Sequence, residues 1–187
     1  MAYTAINDPE LYFQAKIYTG DSGTATAHTF DGTNDMQPDL VWIKGRNSAE
    51  NNVVIDSVRG GDIRVYTDGT HVEGTNDMIN SFDSDGFTLN NSSFVNYNTY
   101  TYVARCWKES ATSGFDIVTY TGNETARTIA HSLSAVPHCM LFKNREGVTN
   151  WIMYHHSLGN TYGMVVNEAE DLDDQAHYFN DTTPTSS

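Results

Sequence analysis

Basic residues are scarce in this chain. It has 10 Lys and Arg against 24 Asp and Glu, a formal charge of −14 over 187 residues. A nucleic-acid partner requires a basic face that displaces counterions from phosphates, so none is expected. The acidity favours solubility and carries no information about fold. Cysteine is nearly absent as well. The two thiols, Cys106 and Cys139, make no disulfide framework. Both lie in apolar, strand-like runs, and two buried free thiols are expected. No run approaches the roughly 20 apolar residues of a membrane span, so no membrane insertion is expected. The N-terminus, Met1-Ala-Tyr-Thr-Ala-Ile-Asn-Asp-Pro9, lacks the basic and apolar regions of a signal peptide. The expectation is a protein made in a cytoplasm and kept there until assembly or release. Asn90, Asn91, Asn123 and Asn180 begin glycosylation-type triplets, and without a secretory signal they read as turn and loop residues.

Catalytic and metal-binding patterns are missing too. The sequence has no Gly-x-Ser-x-Gly, no phosphate-binding loop, no Cys-x-x-Cys and no His-Glu-x-x-His. Cys106 falls in a strand and not at a helix N-terminus, which argues against thiol catalysis. His131, His138-Cys139 and His155-His156 resemble ligands, but neighbours on a strand point to opposite faces and do not chelate one ion. Asp83-Ser-Asp85-Gly86 has the start of a calcium loop, making Asp83 and Asp85 weak metal candidates. A full site needs about six oxygen ligands including a late Glu, and none follows. An Asx-turn leading into a strand is the preferred reading. The acidic stretch Glu168–Gln175 reads as a solvated loop or a short helix. No enzyme activity, cofactor or metal is expected. Glycoside cleavage by paired carboxylates carries no local spacing rule and stays open as a minor alternative.

What the chain does contain is Thr, Ser, Asn, Gly and 11 Tyr, the composition of an all-β extracellular or virion protein and not of a disordered one. It also contains a repeat. Pro38-Asp-Leu-Val-Trp-Ile-Lys-Gly-Arg46 recurs as Pro137-His-Cys-Met-Leu-Phe-Lys-Asn-Arg145. Asn51 matches Asn150, Val53-Val-Ile55 matches Ile152-Met-Tyr154, and Gly60 matches Gly159, all 99 residues apart. Upstream, Ile17-Tyr-Thr-Gly20 matches Val118-Thr-Tyr-Thr-Gly122 after a three-residue difference in loop length.

Strand periodicity runs almost throughout. Leu40–Lys44, Asn52–Asp56, Asp62–Thr67 and Gly86–Asn90 read as strands between turn signals. The longest candidate runs from Phe94 to Lys108 and is apolar on both faces, as a covered central strand should be. Phe115-Asp-Ile-Val-Thr-Tyr120 reads as a strand opening the second copy. Helix is limited to a turn or two after Asp8-Pro9, with Asp8 as the cap.

The expected fold is all-β, with tandem antiparallel β-sandwich, jelly-roll-like units and little helix. The first unit spans residues 1–110. Glu109–Gly114 is a polar linker, and residues 114–187 form an incomplete second copy lacking its last two strands. A longer parent chain is favoured. The repeated basic pairs Lys44/Arg46 and Lys143/Arg145 are the candidate ligand or partner contacts. The bland alternative is that they flank a turn and pair with nearby carboxylates. Trp42, Trp107, Trp151 and Tyr97–Tyr102 offer sugar-stacking rings, although most sit in strongly apolar strands that suit a core.

Several segments resemble a family of repeat-bearing proteins from tailed bacteriophages, chiefly marine and cyanobacterial. They include Ile6-Asn-Asp-Pro9, Gln37-Pro-Asp-Leu-Val-Trp-Ile-Lys-Gly-Arg46, Asp56-Ser-Val-Arg-Gly60 and Ser81-Phe-Asp-Ser-Asp-Gly-Phe-Thr-Leu89. Tyr102-Val-Ala-Arg-Cys-Trp-Lys108, Gly114-Phe-Asp-Ile-Val-Thr-Tyr-Thr-Gly122 and Asn150-Trp-Ile-Met-Tyr-His-His-Ser-Leu-Gly159 extend the resemblance along nearly the whole chain. The resemblance implies a virion structural protein of tail-fibre or adhesin type, active in host attachment or anchoring. A capsid decoration or head-fibre protein is the alternative. The implied partners are other virion proteins and further copies of the chain, a trimer favoured, with a host-surface glycan as an open alternative. The implied location is the virion, after synthesis in the host cytoplasm. Arg105 departs from the apolar residue expected there and predicts an exposed edge or a buried ion pair.

Overall fold

The computed structural model describes residues 6–169, 173–174 and 176–186. The protein is all-β, with antiparallel sheets and very little helix. In chain order the strands are β1 (Phe13–Thr19), β2 (Thr26–His28), β3 (Leu40–Gly45), β4 (Val53–Asp56), β5 (Ile63–Tyr66), β6 (Gly74–Thr75), β7 (Ile79–Asp83), β8 (Gly86–Leu89), β9 (Thr101–Trp107), β10 (Cys139–Phe142), β11 (Ile152–His155), β12 (Tyr162–Val165) and β13 (Asp173–Asp174). A 3-10 turn, Pro9–Leu11, precedes them, and the four-residue helix α1 (Ala176–Phe179) follows. The turn starts where expected: the Asp8 carboxylate accepts from the Glu10 amide at 3.0 Å, and Pro9 needs no donor at the first position.

The first half is a sandwich. A six-stranded sheet, in the order β1-β9-β3-β4-β5-β6, lies against a three-stranded sheet, β2-β8-β7. Alternation decides which side chains enter between them. Val41 and Ile43 of β3, Val53 and Ile55 of β4, and Tyr102, Ala104 and Cys106 of β9 meet Ile79, Phe87 and Leu89 of the smaller sheet. Met36, Met78 and Val95 from the connections complete the core. Each fully buried Val, Ile, Leu, Met or Phe side chain among them contributes about 1.5–3 kcal/mol. The β7–β8 hairpin turns through Ser84-Asp85, with Asp83 opposite Gly86. Gly86 has φ +107°, a conformation that a side chain disfavours.

The remaining strands form a four-stranded sheet, β10-β11-β12-β13. It reproduces β3-β4-β5-β6 pair by pair. Leu40↔Asp56, Val41↔Ile55, Trp42↔Val54 and Ile43↔Val53 become Cys139↔His155, Met140↔Tyr154, Leu141↔Met153 and Phe142↔Ile152. Val53↔Tyr66 becomes Ile152↔Val165, and Arg64↔Gly74 becomes Gly163↔Asp173. Gly60 and Gly159 keep positive φ values of 101° and 87° in the equivalent turns. The repeat seen in the sequence is thus a repeated meander with an unchanged register.

Several sequence expectations are corrected. The long strand begins at Thr101 and not at Phe94. Asn96 is fully buried, and its amide donates to the Asp21 carboxylate at 3.0 Å and the Gly23 carbonyl at 3.1 Å. That long-range side-chain bonding, with Thr99 at φ +72°, takes Phe94–Tyr100 out of the strand. Phe115–Tyr120 forms no strand beyond an isolated bridge from Phe115 to Ser110. Only the β3–β6 meander has counterpart strands in the second copy among the described residues, so more than its last two strands are missing there. Cys139 is exposed, unlike Cys106. Arg105 is exposed on the outer face of β9, which accounts for a charge at that position. The expected loop or helix at Glu168–Gln175 lies partly outside the described residues, and the described pair Asp173–Asp174 is β13.

Candidate functional site

Because Val41 and Ile43 face the sandwich core, Trp42 faces outward. With Val54 and Val65 directly alongside in register, it makes an apolar row across β3, β4 and β5. The equivalent row in the second copy is Leu141, Met153 and Met164. These two rows turn toward each other. Trp151 packs against Val54 and Val65, with Leu40 and Trp42 at the margin, and only 8% of it is exposed. Its indole N–H donates to the Tyr66 carbonyl at 2.7 Å. A cleft of about 450 Å³ remains between the copies, lined by Trp42, Asn52, Thr67, Asp68, Leu141, Trp151, Met153, Val166 and Asn167. Four equivalent pairs line it: 42 with 141, 52 with 151, 67 with 166 and 68 with 167. The same face of the same meander is used from both sides.

The amide and carboxylate groups of this cleft are committed to one another, while the buried indole N–H of Trp42 has no hydrogen-bond acceptor. Asn52 donates through its backbone and side-chain nitrogens to one Asp68 oxygen, at 2.9 and 3.0 Å. Asn167 accepts from the Trp151 amide at 2.7 Å and donates to Asn150 at 3.1 Å. The chemistry is that of a packing seam, with two indoles, aliphatic side chains and satisfied amides.

An ion-pair chain also joins the two copies. Asp56 and Arg59 pair at 2.5 Å, with their side chains 4% and 7% exposed. Arg59 reaches Glu73 at 3.9 Å, and Glu73 receives both the Nε and an Nη of Arg145, at 2.6 and 2.8 Å. The Glu73 amide also donates to the Arg145 carbonyl at 2.9 Å. The fork geometry suits Arg and adds direction to the attraction. Hydrogen bonding to Glu73 raises the Arg145 pKa above its ordinary value. Three of the four repeated basic residues are therefore used inside the fold. Lys143 donates to the carbonyls of Asn144 at 2.7 Å and Gly147 at 3.1 Å and approaches Thr70 at 3.4 Å, and burial lowers its pKa. Lys44 donates to the Glu50 carbonyl. Arg46 is exposed.

The two aspartates of the hairpin serve different neighbours. Asp83 accepts from the hydroxyls of Ser81 and Thr88 at 2.6 and 2.7 Å, bracing the two arms, while Asp85 lies 3.4 Å from the Met36 amide. The histidines behave less simply than strand alternation predicts. His138 stacks on His156 at 4.3 Å between ring centroids, and His155 lies 5.0 Å from His156. His156 follows the end of β11, which frees it from alternation. Stacked rings do not aim their nitrogens at one point. No group of three or more His, Cys, Asp or Glu is placed to share a metal ion among the described residues.

A second cavity, about 340 Å³, lies on the opposite face of the β10–β13 sheet and is lined by Phe142, Ile152, Val165 and Tyr178 among others. In the first copy that face is closed by the smaller sheet. Here the Phe179 ring of α1 covers part of it, 5.7 Å from Phe142 and 5.4 Å from Tyr154. Sequence reasoning missed Glu73, Asp56 and Arg59. The Asp-x-x-Arg spacing was a local signal for the last two, whereas Glu73 meets Arg145 across 72 residues with no pattern to reveal it.

Fold and surfaces together define an all-β repeat protein whose two meanders meet through equivalent faces. Within that class, the chain belongs to the DUF7483 family, a domain of unknown function, whose family model matches residues 8–187. No curated protein and no solved structure matches the chain.

Proposed function

We propose that this protein is a structural component of a bacteriophage particle, of tail-fibre or adhesin type. In this reading it works through its surfaces, in host attachment or in anchoring to the rest of the particle, and not through catalysis. One observation carries the reading: a single meander is written twice and packed face to face with itself. Repeats joined through a shared packing solution suit an extended assembly, in which each unit mainly contacts its neighbours. The sequence resemblance to repeat-bearing phage proteins points the same way, and the acidic, Thr- and Asn-rich composition suits a particle surface. Its partners are then other virion proteins and further copies of the chain, a trimer favoured.

The test is to locate the protein on purified particles of the encoding phage, by cryo-EM density and by gold-labelled antibody. Label and density at the tail are the expected result. Density on the shell alone replaces the fibre reading with capsid decoration. Absence of the protein from washed, infectious particles overturns the virion reading altogether.

A further inference from the structure

The connection between the two copies is a closed turn, although its composition reads as an open linker. Ser110 and Phe115 form an antiparallel bridge, in which the Ser110 amide donates to the Phe115 carbonyl at 2.9 Å and the Phe115 amide donates back at 3.2 Å. The Gly114 amide and the Ser113 hydroxyl close the tip by donating to the Ser110 carbonyl, at 3.0 and 3.1 Å. The bridge sets the Phe115 ring against Trp107, with 6.3 Å between centroids.

Antiparallel register places Glu109 opposite Asp116, the pair next to the bridge. Like charges in facing positions destabilise a ladder. These two also converge, because the Ile117 amide donates to an oxygen of each, at 3.1 Å in both cases. The pair ties three stretches of chain together. The Glu109 amide donates to the Asp39 carboxylate at 2.8 Å, just ahead of β3, and Asp116 accepts from the Ser132 amide at 2.5 Å, on the approach to β10. Both side chains are partly buried. Among the described residues no Lys, Arg or His forms an ion pair with either of them. The further charge bearing on Glu109 is Asp39, of the same sign. The Glu109 pKa is raised above its ordinary value, first by hydrogen bonding to Asp116 and then by burial.

We propose that Glu109 and Asp116 form an acid-operated clasp on the connection between the copies. Holding one proton between them, taken up from water, the two carboxyl groups bind each other and keep the turn shut. With both ionised they repel, the turn opens, and Phe115 leaves Trp107 as Ser132 leaves Asp116. The direction follows from the raised Glu109 value, since the closed turn binds the proton more tightly than the open one. Closure is therefore favoured at about pH 4.3, the ordinary Glu value, and weakens as pH rises through the raised one. The seam around Trp151 has its own contacts, so what is switched is the path of residues 110–132 and not the seam. The clasp is independent of the virion reading.

The test follows amide exchange in the intact 187-residue chain. Corrected for the intrinsic effect of pH, exchange at Phe115, Ile117 and Ser132 should quicken roughly tenfold or more from about pH 4.5 to about pH 7.5. Glu109→Gln replaces the shared proton with a permanent amide donor, and should hold the same amides within about twofold over that range. A flat profile in the unaltered chain overturns the proposal, as does a Gln variant that follows the unaltered chain. Carbon-13 titration of the carboxyl groups gives a second reading that needs no variant. Glu109 should titrate above the ordinary Glu range, and independent titration of both groups at ordinary values overturns the clasp as well.

Discussion

Replacing Trp151 by Ala should detach the second meander from the first while leaving the sandwich folded. Among the described residues, Trp151 is the one residue of the second copy in the apolar cluster on the outer face of the six-stranded sheet. Truncating a buried aromatic side chain of this size costs about 3–5 kcal/mol. Part of that is the indole bond to the Tyr66 carbonyl, a hydrogen bond of a kind worth about 1 kcal/mol. A four-stranded sheet with one face on the sandwich and the other partly covered by α1 has little stability of its own. Its opening should therefore absorb the whole loss. At about 1.4 kcal/mol per factor of ten, local opening becomes roughly a hundredfold to a few thousandfold more frequent. Native-state hydrogen exchange reads this directly. Amides of β10, β11 and β12 should lose protection by that factor, and those of β3 and β9 should change less than about threefold. Trp151→Phe keeps most of the contact area and removes only the donor, so about a fivefold change is expected. Equal losses in both sheets, or less than a tenfold change in β10–β12 for Trp151→Ala, would refute the account of the seam.

Two further outcomes follow from buried titratable groups. His28 is 8% exposed and stacks on Tyr18 at 4.1 Å, and its pKa is lowered, first by burial and then by the charge of Lys16. The unfolded chain takes up this proton before the folded one does. Stability should hold above about pH 6.5, the ordinary imidazole value, and fall as pH drops from there toward the lower folded value. Melting curves between pH 8 and 5 should show this slope, and His28→Phe should flatten it; an unchanged slope removes the explanation. The two thiols should also separate cleanly. Burial pushes the Cys106 thiol far up and the exposed Cys139 thiol less so. An aromatic disulfide reagent should titrate one thiol in the native chain and two in denaturant, whereas two fast native thiols would mean that β9 is not held in the core.

Much of this fold was legible because it is written twice. The cores of β3, β4, β5 and β8 follow from short apolar runs between turn residues, and the constant spacing of the two copies carried even the register. What escaped was non-local. Phe94, Val95 and Tyr97 look like strand residues, yet the side chain of Asn96 reaches Asp21 and Gly23 across more than 70 residues and bends the chain away. Cys139 and Leu141 occupy the positions of Leu40 and Trp42, and sequence alone predicts the same burial. Burial also depends on the neighbouring strand, and in the second copy β9 has no equivalent among the described residues. The basic residues repeat, but their employment does not: Arg145 is clamped by Glu73, while Arg46 is left in solvent.

The matched registers also set where the chain tolerates new sequence. Between positions 40 and 75 the two copies keep step with 139 to 174 without an insertion. Each loop inside a meander closes a ladder whose outer face is pressed against its twin, so an added residue would put both out of register. The loop upstream carries no such obligation, and the copies already differ there by three residues. Gly122–Thr128 is exposed along its whole length. A foreign peptide grafted into that stretch should be displayed to solvent without disturbing either meander, which makes it the natural place for an affinity tag or an epitope.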